Sequence, residues 1–233
     1  MKILNAALAV LVSGVALAEP ADGGLPVSAN VKGRENTEWS QAYAFHLTDG
    51  QKDLPRVFIV GDSISGLYQD FVQKGLAGRV NVSYWISSYC VTRPIYLKLL
   101  EIYLDEGKYD VIHFNNGLHS LRTPTGDYAR ELEVVFRLIR KKQPQAKIVW
   151  ATSTPLKGER TKKVKELNAA AADVVARVGG IATDDLFALL DPLDRETNWA
   201  DEFHHTVETR KMTAKKVTEA ILAEIGIDRE DTK

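Results

Sequence analysis

The chain has 233 residues, 45% of them hydrophobic and 26% charged, ordinary proportions for a globular protein. Sixteen glycines and eight prolines are too few for a collagen-like or Pro/Gly-rich disordered chain. A formal net charge of -1 leaves no basic footprint for nucleic acid or anionic lipid, and the length suits one large α/β domain or two small ones.

Residues 1–18 read as a signal peptide. Lys2 is a minimal basic start, and Ile3 to Ala18 is an apolar run interrupted only by Asn5, Ser13 and Gly14. It closes on Ala16-Leu17-Ala18 before Glu19-Pro20, the small-x-small pattern that signal peptidases cut. A buried first helix or a membrane anchor is the alternative, but the run is short for a span. The expected mature chain is therefore secreted or periplasmic, with no membrane partner after cleavage. Cys90 is the only cysteine, which excludes an intramolecular disulfide and a Cys-rich zinc site. It reads as a small packing residue, with a cysteine nucleophile as the alternative.

Residues 19–54 are polar and Gly-dotted, with Trp39, Tyr43 and Phe45 as anchors; they read as an arm laid over a domain. From 55 to 233 short β-rich runs alternate with helical patterns. Strands are expected at Arg56–Val60, Val80–Trp85, Asp110–Asn115, Lys147–Ala151 and Gly180–Asp184, rich in Val and Ile as strands buried on both faces are. Helices are expected at Ile64–Leu76, Ile95–Asp105, Asp127–Lys142, Glu159–Val178 and Val207–Ile225. Strict alternation without repeats or linkers predicts one α/β domain, a three-layer α/β/α sandwich on a five-stranded parallel sheet.

In such a sheet, ligands bind beyond the carboxyl ends of the strands. Gly61-Asp62-Ser63-Ile64 follows the first strand and opens a helix, so Ser63 stands beside the N–H groups of a helix N-terminus. That placement suits a nucleophile whose attack creates an oxyanion; alternatively Asp62 or Ser63 only caps the helix. Before the last helix lies Asp201-Glu202-Phe203-His204-His205-Thr206. A serine hydroxyl needs a general base, and the base needs an acceptor on its other nitrogen. His204 and Asp201 supply both. Paired histidines also raise a metal site, but no His-Glu-x-x-His or carboxylate cluster accompanies them.

The order and spacing of these blocks resemble the SGNH/GDSL hydrolases from about Leu54 to Ile225. Gly61-Asp62-Ser63-Ile64 matches the family's first block, with Ser63 as nucleophile, and Asp201-x-x-His204 matches its last. The third block, usually Gly-x-Asn-Asp, aligns with Gly117-Leu118-His119-Ser120, placing His119 in the asparagine slot, with Asn115 and Asn116 just before it. The second block falls in Ser87-Ser88-Tyr89-Cys90-Val91-Thr92, without the usual glycine. The resemblance implies a flavodoxin-like strand order 2-1-3-4-5 and a catalytic Ser63, His204 and Asp201. Asp62, Ser63, Cys90, Asn115 and His119 are the candidates around the oxyanion and substrate. No cofactor and no metal are expected. The implied function is an exported serine esterase removing short acyl groups, above all acetyl, from a small-molecule or polysaccharide ester. A lipase or thioesterase with the same triad and a non-catalytic carbohydrate-binding relative are the alternatives. Trp85, Tyr89 and Trp199 are candidates to stack on sugar rings, or else core residues.

Overall fold

The computed structural model describes residue 35, residues 37–44 and residues 53–227. The expected signal peptide and the first part of the arm lie outside the described residues. In chain order the elements are β1 (Ser40–Tyr43), β2 (Arg56–Gly61), α1 (Ser63–Leu76), β3 (Asn81–Ser87), α2 (Pro94–Asp105) and β4 (Val111–Phe114). There follow α3 (Thr125–Lys142), β5 (Lys147–Ala151), α4 (Thr161–Val178), β6 (Ile181–Asp184), α5 (Leu186–Leu190), α6 (Arg195–Asn198) and α7 (Val207–Ile225).

Successive side chains of a strand point to opposite faces, and the hydrophobic residues of β2 use both. Val57 and Ile59 pack with Tyr68, Val72 and Leu76 of α1 and with Val217 and Ile221 of α7. Phe58 and Val60 face the other way, onto Leu100 of α2, Leu132 and Phe136 of α3 and Val174 of α4. One sheet thus divides two helical layers. Truncating a fully buried core residue such as Leu132 to alanine costs about 2–5 kcal/mol.

The sheet has six strands in the order β1-β3-β2-β4-β5-β6. The last five are parallel and reproduce the flavodoxin-like order. The sixth corrects the expected count: β1 pairs antiparallel with the outer edge of β3, Ser40 opposite Ser87 and Tyr43 opposite Tyr84. Neighbouring polar contacts fix it. Trp39 N–H donates to Ser88 Oγ at 2.8 Å, Ser88 N–H returns to Trp39 O at 3.0 Å, and Trp85 Nε1–H donates to Ser40 Oγ at 2.8 Å. Further out, Glu38 accepts two bonds from the buried Arg93 guanidinium, at 2.8 and 2.9 Å.

From β2 the chain crosses to β3 on one side and later returns to β4 on the other. That reversal opens a crevice beyond the carboxyl ends of β2 and β4. No helix among the described residues is long and apolar enough to cross a membrane.

Candidate active site

Three connections meet at this crevice. The turn from β2 into α1 carries Gly61, Asp62 and Ser63. Asp62 is wholly buried and caps α1, its Oδ1 accepting from Ile64 N–H at 2.9 Å. Burial pushes its carboxyl above the ordinary value, against the charge of His119 and the Ile64 bond. A Cβ on Gly61 would lie 2.0 Å from Ser65 Oγ, so the turn closes only with glycine there. Ser63 follows as the first residue of the helix, where backbone N–H groups have no intrahelical acceptor.

The loop before α7 brings the second group. Asp201 Oδ1 accepts from the backbone N–H groups of Phe203 and His204, each at 2.8 Å, which curls the loop. His204 Nδ1–H donates to Asp201 Oδ2 at 2.8 Å, and the Ser63 hydroxyl stands 3.0 Å from His204 Nε2. Burial opposes charge on Asp201, but the bonds from His204 and Phe203 outweigh it and hold its pKa at about 2. The neighbouring His205 is different. Its ring lies edge-on to Trp199 with centroids 4.8 Å apart, and burial, helped by the charges of His204, Arg210 and Arg195, lowers its pKa to about 4.

The third group follows β4. Leu118–Ser120 forms one turn of 3-10 helix that carries His119 toward the crevice. Gly117 allows this turn: a Cβ there would lie 1.9 Å from Ser153 Oγ. His119 Nδ1 lies 3.1 Å from Glu35 Oε1, and Trp39 meets the ring edge-on at 6.4 Å. A cavity of about 600 Å³ opens over Ser63, His119 and His204. Its walls include Glu35, Trp39, Arg122, Arg160 and Phe203. Arg160 stacks over Phe203 at 4.6 Å while its Nε–H donates to Glu202 at 2.6 Å.

No protein-family model and no curated protein matches the sequence. Solved structures do match in three dimensions. A protein from Slackia heliotrinireducens assigned to the SGNH hydrolases is 16% identical, with a TM-score of 0.59 over 72% of this chain and 100% of the other. A member of the lipolytic G-D-S-L family from Veillonella parvula is 17% identical, with a TM-score of 0.59 over 70% of this chain and 96% of the other. The chain has the SGNH hydrolase fold. A family two carbohydrate esterase from Clostridium thermocellum, in complex with cellohexaose, shares that fold at 14% identity and a TM-score of 0.54, covering 74% of this chain and 65% of the other.

On this SGNH scaffold Ser63, His204, Asp201 and His119 come together as the sequence places them. Several other expected residues do not join them. The Asn115 amide is outside the cavity wall and donates to Ala151 O at 2.7 Å. Asn116 donates to Tyr89 O at 2.8 Å. Cys90 has no exposed surface and lies 2.9 Å from Thr92 Oγ1, which corrects its expected place against substrate. Asp62 is likewise sealed beneath the turn and acts as a cap. Trp85 packs between Tyr96 and Tyr103, and Trp199 donates to Pro155 O at 3.2 Å; both are core residues. Tyr89 is half-buried and also outside the cavity wall. The aromatic rings of the cavity are Trp39 and Phe203, and Glu35, Arg122 and Arg160 were not expected there. Phe203 could have been found from its place beside His204.

Among the described residues no group of three or more His, Cys, Asp or Glu side chains is arranged to hold a metal ion.

Proposed function

We propose that the protein is a serine esterase that removes short acyl groups, acetyl above all, from carbohydrate esters. The observation that carries the reading is the continuous relay from Ser63 through His204, both on the wall of one cavity, to Asp201 behind them. Ser63 Oγ attacks the ester carbonyl carbon while its proton passes to His204 Nε2. The carbonyl π electrons move onto oxygen, forming a tetrahedral oxyanion. As that oxyanion collapses, His204 hands the proton to the departing alkoxide and an alcohol leaves. Water then attacks the acyl-serine, gives its proton to His204 and releases the acid; the proton returns to Ser63. Asp201, held ionised, fixes the His204 tautomer and faces the imidazolium formed in each half-reaction. The Ser63 N–H and the His119 ring are the donors proposed for the oxyanion.

The substrate class is supported by the cavity's makeup. Trp39 and Phe203 line it beside the polar Glu35, Arg122 and Arg160, a surface suited to hydroxyl-rich alcohols rather than long acyl chains. The carbohydrate esterase with bound cellohexaose shares the scaffold. The apolar start ending Ala16-Leu17-Ala18 supports export, to the periplasm or outside the cell.

The test compares p-nitrophenyl acetate with butyrate and octanoate, then measures acetate release from acetylated glycans, with Ser63→Ala as control. Acetate preference lost in Ser63→Ala supports the reading. Octanoate preference makes the protein a lipase. Absence of both turnover and fluorophosphonate labelling at Ser63 makes it a binding protein.

A further inference from the structure

The oxyanion donor proposed above stands on a residue with two possible proton sites, and something must decide which of them carries hydrogen. His119 is a cavity residue that receives a contact from the polar arm. Its Nδ1 faces Glu35 Oε1 at 3.1 Å, while Nε2, on the opposite edge of the ring, has no protein partner among the described residues. Glu35 is itself held in place. Its own N–H donates to Glu38 Oε1 at 3.3 Å, and Glu38 is tied by both carboxylate oxygens to the buried Arg93. One residue further on, Trp39 is bonded to Ser88 and lies edge-on to His119.

A carboxylate accepting from Nδ1 has a chemical consequence. If the ring were neutral, the proton on Nδ1 would leave Nε2 a bare lone pair, which repels an oxyanion. Donation from Nε2 then requires the second proton, and a carboxylate partner is the group that stabilises it. Resting on the esterase reading, we propose that Glu35 is a positioning residue of the active site, its carboxylate holding the Nδ1–H of His119 so that a protonated Nε2 faces the oxyanion. The charged groups around the ring fit this role. Burial disfavours the cation, yet the Glu35 bond and the negative charges of Asp62 and Glu35 outweigh it and raise the His119 pKa. Arg122, Arg160 and His204 share the cavity with it.

The sign of the pH dependence follows. Turnover falls on the alkaline side as His119 loses its second proton. Glu35→Gln keeps an acceptor for Nδ1 and removes the charge. It is expected to move the alkaline limb of kcat to lower pH by about one unit and to reduce kcat at pH 8 about tenfold, with KM little changed. His119→Asn supplies a neutral amide donor, so its kcat loses the alkaline limb, and adding Glu35→Gln then costs nothing further. An imidazole NMR titration of His119 in Ser63→Ala protein is expected to show the same downward shift with Glu35→Gln. A Glu35→Gln profile that superimposes on wild type, or losses that multiply in the double variant, overturns the proposal while Ser63-dependent ester hydrolysis stands. Inactivity of the wild type toward every ester overturns both.

Discussion

His204 Nε2 lies 3.0 Å from Ser63 Oγ, although 141 residues separate the two in the chain. Only the parallel sheet, with β2 at its centre and α7 packed against α1, brings those positions together. Ser63→Ala and His204→Ala are each expected to lower kcat by several orders of magnitude without loss of fold, measured on p-nitrophenyl acetate with circular dichroism as control. His205→Ala is expected to cost stability instead, because its ring is buried against Trp199. Activity retained in His204→Ala and lost in a folded His205→Ala would reassign the base.

Stability is expected to depend on pH through that same buried ring. In the fold His205 stays neutral down to about pH 4, whereas a histidine in the unfolded chain takes a proton near pH 6.5. Between those values the unfolded state binds more protons, so stability falls as the pH is lowered from about 6.5 to 4, by about 3 kcal/mol in full. Asp201 acts lower down, its contribution fading only below the ordinary carboxylate value as pH approaches 2. His119, whose pKa is raised, contributes below about 6.5 and loses its share only as pH rises. Urea unfolding of wild type and His205→Gln at pH 4.5 and 7 measures this; an unchanged pH slope in the variant argues against it.

His119 and Asn115 are separable by experiment. Removing one oxyanion donor costs about 10²–10³ in kcat, so His119→Ala is expected in that range with KM little changed. Asn115→Ala removes a buried bond to Ala151 O and is expected to cost about 1–3 kcal/mol of stability, with kcat of the folded fraction within about threefold of wild type. The reverse pattern would return the donor role to the asparagine.

Gly117 tests how the His119 turn is seated. In Gly117→Ala the new methyl meets Ser153, whose backbone is itself held by Asn168 at 2.9 Å on both its N–H and its carbonyl. We expect a loss of about 1–3 kcal/mol and a lower kcat, both partly restored by adding Ser153→Ala. No restoration would place the strain elsewhere.

Cys90→Ser is expected to retain most turnover with a stability loss of about 1 kcal/mol, since the side chain is enclosed beside Thr92. Abolished turnover in a folded Cys90→Ser protein would overturn the serine mechanism.

Strong periodicity made most of the scaffold legible. The strand Lys147–Ala151 and the helix Val207–Ile225 fall where their residue patterns place them, because apolar side chains must face a neighbour. β1 was hidden for the opposite reason. All four of its residues are exposed, and Ser-Gln-Ala-Tyr shows no apolar alternation that would mark a strand. α5 and α6, five and four residues long, are too short for a helical period to show. In the candidate site, Ser63, Asp201 and His204 stood out because their chemistry clusters in short blocks. Glu35 lies 84 residues from His119, one carboxylate in a polar stretch, and only the folded chain reveals its partner. Trp85 and Trp199 illustrate the converse error: a large ring near a strand end is drawn inward by the area it buries.

An open sheet ends in unpaired N–H and C=O groups, and a long apolar edge invites another chain to add itself there. β3, buried along its whole length, would be such an invitation if it were the last strand. β1 occupies that place instead, four residues long, polar and running antiparallel. The segment that reaches His119 therefore also guards against intermolecular strand addition. Shortening the protein to start at Leu54 is expected to raise self-association relative to the full chain, read by size-exclusion chromatography at matched concentration.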